Sequence, residues 1–493
     1  MDRSVAQGRP PDARLDRWTD ARTRRWAAIA ISVALVLVAG SIYAITSVHR
    51  DYNHFVWQAA AWLEGQVAIR YPTPQNEFFQ DVLPIVTHDG VARGLIPFPP
   101  LPALVLLPFV MVWGMATNDQ LVFTAIGAVD VAICWWMLGR LPVRGSVRLA
   151  TTLFFAFGTV FWYTAQLAST WYEAHVVAVG VMMLAVGLAL GADPLAVDDD
   201  DGPDEAANAG LEADAGPEAD AGPEADAGRE PAIDRRQVLA GLLFGLACTA
   251  RLTIAAGVPF FFFVGPGRDW RRRGVAAVGG AAIPILVLVG YNLATTGHVM
   301  HPGYEALYRA EAVSYGPLGY RLDWSIEDPR YVPQNAGIML LTPPVLLPTH
   351  IPDALGLRNQ PVCTASGASR GLFDVACPLA VPQDIGMSLF LTSPAFLLAI
   401  PALRRYGRSR LVTGSVMAIL LIALANLMHF SQGWVQFGYR FSNDFVPFAL
   451  VLVALGLERL MAVRWGPAVA GGLIVASVAI NLWGVAWGRL LGW

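Results

Sequence analysis

Asp51, in "HRDYNHF" at residues 49–55, is a carboxylate within a turn or so of the end of an apolar run of about twenty residues. At such a low-dielectric rim a carboxyl group can act as a general base or a metal ligand. The same charge can equally anchor a helix end at lipid headgroups. Glu173 and His175, in "STWYEAHVV" at 169–177, open a later apolar run. Glu173 suits acid–base work or simply complements the helix dipole, and Trp171 and Tyr172 fit an interfacial aromatic belt. In "SQGWVQFGYRFSNDFVPF", 431–448, Trp434, Phe437 and Tyr439 interleave with Gln436, Arg440, Asn443 and Asp444. Aromatic faces beside amides and a carboxylate suit a sugar, and a guanidinium suits a phosphate. The alternative is a second aromatic belt, with Arg440 and Asp444 paired four residues apart. Arg93, in "THDGVARGLIPFPP", suits a phosphate or a lipid headgroup. Arg251, in "CTARLTIAA", stands between two short apolar runs, where an ionisable group points to function.

Other chemistries have no foothold. The chain has no Walker loop, no dinucleotide fingerprint after a strand, no HExxH and no CxxC. Nothing in it suggests nucleic acid as a partner. Cys363 and Cys377, in "CTASGASRGLFDVAC", enclose 13 residues on what is expected to be the oxidising side, which favours a disulfide. Cys134 and Cys248 lie within apolar runs and read as packing residues.

The elements that must position these groups are membrane helices. The chain has 493 residues, 55% of them hydrophobic and 15% charged, with 16 Trp and 23 Phe, too apolar for a soluble protein of this length. All 34 basic residues are Arg. Loops rich in Arg stay cytoplasmic. The run 27–47 follows a leader with seven Arg and lacks a small-residue cleavage site, so it reads as a signal anchor with its N-terminus inside. The run 96–115 carries five prolines between Pro97 and Pro108, which disfavours a regular span. If it lies along the outer interface, every later Arg cluster falls inside. The spans are then 27–47, 120–139, 149–165, 173–192, 237–250, 252–266, 275–294, 385–402, 411–429, 445–461 and 467–487. The expected fold is an all-α polytopic membrane protein of about eleven transmembrane helices, and all eight histidines fall on its outer side or at the outer end of a span.

Four segments follow: a cytoplasmic Arg-rich N-terminus, 1–26; a first membrane module, 27–192, with outer loop 48–119; an acidic linker, 193–234; and a second module, 235–493, with outer loop 295–384. The linker holds 15 of the 38 acidic residues and three tandem hexads at 212–229, "EADAGP", "EADAGP" and "EADAGR". With almost nothing to bury it reads as a solvated, disordered cytoplasmic linker. Asp198 to Asp201 lack EF-hand spacing.

The order and character of these segments resemble the GT-C superfamily of polytopic glycosyltransferases, which includes the protein mannosyltransferase and aminoarabinose transferase families. The likeness is carried by Asp51 after an uncleaved first span, then "GLIPFPPLPALVLLPFVMVWG", "WYEAHVVAVGVMMLAVGLAL", "GLACTARLTIAAGVPFFFF" and "YNLATTGHVMHPGY", over most of 27–460. It implies a GT-C-like fold with juxtamembrane helices in the first outer loop. It also implies a polyprenyl-phosphate-linked sugar donor and a glycan, lipid or protein acceptor, met among the membrane lipids. Asp51 matches the family's catalytic acidic position and Glu173 its second. Ile96, Pro97 and Phe98 stand where aminoarabinose transferases carry an acid and a Lys, so Arg93 and Arg440 become the phosphate-binding candidates, with Arg251. Asp51 is followed by Tyr52, not by the second acid of the mannosyltransferases.

The resemblance, carried onto these residues, implies an inverting glycosyl transfer at the extracytoplasmic face of the plasma membrane, with Asp51 as base and an arginine on the leaving phosphate. His175, Trp434, Tyr439, Asp444 and Tyr304 would line the substrate site, and a divalent cation shared by Asp51 and Glu173 is a possibility that two carboxylates do not by themselves establish. The rival readings are a lipid-linked glycan flippase and a glycan polymerase or ligase. A transporter usually carries midplane charges and repeated halves; only Asp130 lies deep here, and the halves do not repeat. Reporter fusions at 144 and 368 should report opposite sides of the membrane; the same side for both would refute the topology.

Overall fold

Backbone polar groups that leave water must be satisfied within the chain, so long apolar stretches fold as helices. The computed structural model describes residues 13–48, 52–70, 81–86, 90–167, 169–191, 234–266, 269–311, 321, 323–353 and 358–493. Asp51 and nearly all of the acidic linker lie outside the described residues.

The first half runs α1 (Ala13–Thr46), α2 (His54–Leu63), a small antiparallel sheet, α3 (Leu101–Trp113), α4 (Asp119–Leu138), α5 (Gly145–Gly158), α6 (Phe161–Leu167) and α7 (Thr170–Ala189). The sheet joins β1 (Ile69–Arg70), β2 (Leu83–Val86) and β3 (Ala92–Leu95), with β3 in the centre. The second half runs α8 (Arg235–Cys248), a 3₁₀ stretch Leu252–Gly257, α9 (Phe260–Phe263), α10 (Trp270–Thr296), α11 (Gly303–Glu311) and α12 (Val332–Leu341). After a long loop come α13 (Leu389–Thr392), a 3₁₀ stretch Pro394–Ala399, α14 (Ile400–Tyr406), α15 (Arg410–Leu427), a 3₁₀ turn Arg440–Asp444, α16 (Val446–Leu460) and α17 (Gly466–Leu491). The long loop is held by two antiparallel ladders, β4 (Val345–Leu346) with β7 (Ala380–Val381) and β5 (His350–Pro352) with β6 (Asn359–Pro361), and by a Cys363–Cys377 disulfide.

Among the described residues six helices are long and apolar enough to cross a membrane, within α1, α4, α7, α10, α15 and α17. The pair α5 and α6, bent by 54°, supplies a seventh. The other four expected spans are short or broken. α8 has 14 residues and α16 has 15. The stretch 252–266 gives way at Pro259 to the four-residue α9, and 385–402 breaks at Pro394, since proline removes a helical donor and clashes with the preceding turn. The proline-rich segment forms α3, 13 residues with Pro108 inside, packed on α2.

α7 is apolar on nearly every side, the pattern of a helix enclosed by others. It packs against α4, α8 and α16, and 83% of its most apolar window is buried. α8 packs against α10 through Gly241 and Gly245, a G-x-x-x-G spacing that lets two backbones approach. A Cβ at Gly241 would run into the Ala277 carbonyl, and one at Gly280 into the Val238 carbonyl. Gly241→Leu should therefore cost about 1–3 kcal/mol of stability. Gly290→Leu, on an open face of α10, should change it by no more than about 0.5 kcal/mol. Thermal unfolding in detergent compares the two.

Candidate active site

The first turn of α7 gathers the chain that follows α1. The Thr170 hydroxyl donates to the Tyr52 carbonyl (2.7 Å) and meets His54 Nδ1 (3.0 Å), while the Trp171 indole donates to Asp81 (2.7 Å) and its ring meets Tyr52 edge-on at 4.8 Å. Gln120, in the first turn of α4, donates to the carbonyls of Val48 (2.5 Å) and Gln166 (3.2 Å), drawing the ends of α1 and α6 to the same place. Asp119 and Glu173 occupy the first turns of α4 and α7, where the helix dipole favours negative charge. The Glu173 carboxyl is fully buried and faces that of Asp119.

Asp444 is the centre of a second cluster. Its Oδ1 accepts from His175 Nδ1 (2.9 Å) and Arg251 Nε (3.2 Å), and its Oδ2 from Arg251 Nη2 (2.9 Å) and the Thr253 hydroxyl (2.8 Å). The Asp444 side chain is fully buried; that of Arg251 is 21% exposed. Burial alone would push this carboxyl up, but the Arg251 charge and the hydrogen bonds from His175 and Arg251 hold it well below the usual carboxylate range. The pairing of Arg440 with Asp444 that the alternative, aromatic-belt reading implied does not form. Residues 440–444 turn as a 3₁₀ segment, which removes the α-helical i, i+4 geometry, and Asp444 is taken by Arg251.

Arg440 instead lies over two rings, with its guanidinium carbon 5.2 Å from the Tyr172 centroid and 5.3 Å from that of Phe441. Its Nε is buried with no hydrogen-bond partner. Phe441 also receives Arg251 at 5.0 Å, and the His175 ring lies 5.9 Å away. The loop before Arg440 is strained: Gly433, Val435 and Gly438 have φ of 98°, 49° and 68°. For β-branched Val435 this costs about 1–3 kcal/mol and persists only where the surroundings fix it. Gln436 does much of the fixing, through its backbone N–H to the Asp384 carbonyl (3.1 Å) and its side-chain amide to Ile385 (3.1 Å) and Gln432 (2.7 Å). Gly433 must be glycine for a second reason, because a Cβ there would press on the Arg440 guanidinium.

The expected site residues thus divide. His175, Arg251, Arg440 and Asp444 come together around Phe441, and the buried Tyr439 meets Phe441 edge-on at 6.1 Å. Trp434 is partly buried and hydrogen-bonds Asp384, whose carboxyl is pushed up by burial. Arg93 lies on β3 between Arg70 and Ile85; among the described residues no bond or ring contact links it to the cluster. Tyr304 is in α11, and its side chain is outside the described residues, as is all of Asp51. Asp130 lines an apolar groove of about 630 Å³ between α3, α4 and α7, with Oδ2 unpartnered. Among the described residues no group of three or more His, Cys, Asp or Glu side chains can hold a metal ion. The sequence reading missed Asp119, Thr253, Asp384 and Phe441. Of these only Asp119, an acid opening an apolar run just as Glu173 does, left a signal.

No protein-family model and no curated protein matches the chain. Among solved structures it is similar to the Archaeoglobus fulgidus oligosaccharyltransferase in its apo form, at 12% identity and a TM-score of 0.38, covering 94% of this chain and 55% of that one. It is also similar to the same enzyme tethered by a disulfide to an acceptor peptide containing the NVT sequon, at 11% identity and a TM-score of 0.37, covering 93% and 54%. The chain thus spans about half the length of that enzyme.

Asp444→Asn leaves Arg251 without its counter-charge and should cost about 3–5 kcal/mol of stability. Because the folded carboxyl is held down, its contribution is fully present above the ordinary Asp range and is lost as pH falls through and below it. The difference in unfolding midpoint between wild type and variant should be constant from pH 8 to about pH 5 and narrow below about pH 4.

Proposed function

We propose that this protein is a membrane glycosyltransferase that moves a sugar from a polyprenyl-phosphate donor to an acceptor hydroxyl at the extracytoplasmic face of the plasma membrane. The observation that carries this reading is the Arg440 guanidinium: buried in part, stacked on Tyr172 and Phe441, and holding an Nε–H with no partner. A buried donor of this kind suits an anionic oxygen. Arg251 is already neutralised by Asp444, so the uncompensated charge of the cluster belongs to Arg440. The resemblance of the segment order to GT-C glycosyltransferases supports the same reading.

In the proposed reaction the acceptor oxygen attacks the anomeric carbon as the bond from that carbon to the phosphate oxygen breaks. The acceptor proton passes to Asp51, and the electron pair leaves with polyprenyl phosphate, whose charge Arg440 stabilises. A single displacement inverts the anomer. Glu173 would orient the acceptor. Tyr52 and His54 are bound to the first turn of α7, which supports placing the segment that follows Asp51 near Glu173.

Purified protein incubated with a labelled polyprenyl-phosphate sugar should move label to an acceptor. Asp51→Asn should abolish transfer with folding intact, and Arg440→Gln should lower it by about 10²-fold or more. Near-normal turnover by Asp51→Asn would remove Asp51 as the base. Lipid-linked label that crosses the bilayer intact would point to a flippase, and label joined into a growing glycan to a polymerase or ligase.

A further inference from the structure

His175 has a chemical polarity that the transfer reaction leaves unused. Its Nδ1 lies 2.9 Å from Asp444 Oδ1, an oxygen that can only accept, so the ring proton sits on Nδ1. The ring is wholly buried, and Nε2 has no partner. Asp444 already meets one cation in Arg251, and a second buried positive charge on the imidazole would have no counter-ion. The neutral ring then presents a bare lone pair at Nε2, which can accept a hydrogen bond and cannot give one. Buried polar atoms without partners are uncommon. Here three border one ring, the Nε2 acceptor of His175, the Nε–H donor of Arg440 and the Tyr439 hydroxyl, each side chain against Phe441.

Resting on the glycosyltransferase reading, we propose that His175 is the group that recognises the sugar of the donor, accepting a hydrogen bond from a sugar hydroxyl at Nε2 while Arg440 holds the phosphate. Of these, Nε2 of His175 and Nε–H of Arg440 are opposite in kind. A phosphate diester has no proton to give and is refused at Nε2; a hydroxyl satisfies it. Asp444 is the positioning residue, because its hydrogen bond to Nδ1 decides which nitrogen keeps the lone pair. Without that bond the other tautomer would place a donor at Nε2 and lose the discrimination.

The test uses full-length protein in nanodiscs and two ligands, polyprenyl phosphate and polyprenyl phosphate bearing one hexose. Wild type should bind the glycosylated lipid at least about tenfold more tightly. His175→Phe should lose that preference and bind the two with equal affinity. Arg440→Gln should lose affinity for both. In ¹⁵N-histidine-labelled wild type, the resonances absent from His175→Gln should show a protonated Nδ1 and an unprotonated Nε2. His175→Phe weakening both lipids alike, wild type failing to prefer the glycosylated lipid, or an Nε2-protonated ring would overturn the proposal and leave the transferase reading standing. Wild type binding neither lipid would overturn both.

Discussion

Asp444 accepts four hydrogen bonds from three side chains that are remote in sequence, and the geometry of the polar site follows from that fact. His175 comes from the buried helix α7, Arg251 and Thr253 from the junction that ends α8, and Asp444 from the turn that opens α16. A carboxylate buried this deeply would be expelled or neutralised without such partners. With them it fastens both halves of the chain at one point. It also consumes the charge of Arg251 and thereby leaves Arg440 as the cation with unspent capacity.

Around this point the backbone is held in conformations that a freer segment would leave. Val435 sits at positive φ, and Gly433 is close against the Arg440 guanidinium. The amide of Gln436 ties the loop to itself and to Ile385. Strain kept in place by several independent bonds is typical of a region whose side chains must stand in one arrangement, and here the arrangement is an arginine over two aromatic faces. At the neighbouring helix ends, Asp119 and Glu173 add a pair of facing carboxyls, so the candidate acid and base groups gather at the opening turns of α4 and α7 and just before α16, with Asp130 apart from them in the middle of α4.

Hydropathy made the long helices legible: the expected 120–139, 275–294 and 467–487 lie close to α4, α10 and α17. It failed where proline interrupts an apolar run, as at Pro259 and Pro394, because hydropathy counts apolar residues and is blind to a lost backbone donor. The individual site residues were visible by type, since an Arg or Asp beside a span is conspicuous. Their partners were not. Local spacing offered only Arg440 as a pairing alternative for Asp444, yet the partner is Arg251, 193 residues earlier, and no periodicity encodes a contact of that range. Phe441 carried no signal because an aromatic residue near a span end is ordinary. Its role comes only from the three polar side chains that surround it.

Asp444 and Arg251 act as one unit on which the rest of the site is built. A double-mutant cycle with Asp444→Asn, Arg251→Gln and the pair, read as unfolding free energy in detergent, measures that unit directly. The account predicts that the double variant is more stable than the two separate losses would give, with a coupling of about 1.5–3 kcal/mol. Losses that simply add to within about 0.5 kcal/mol would contradict it.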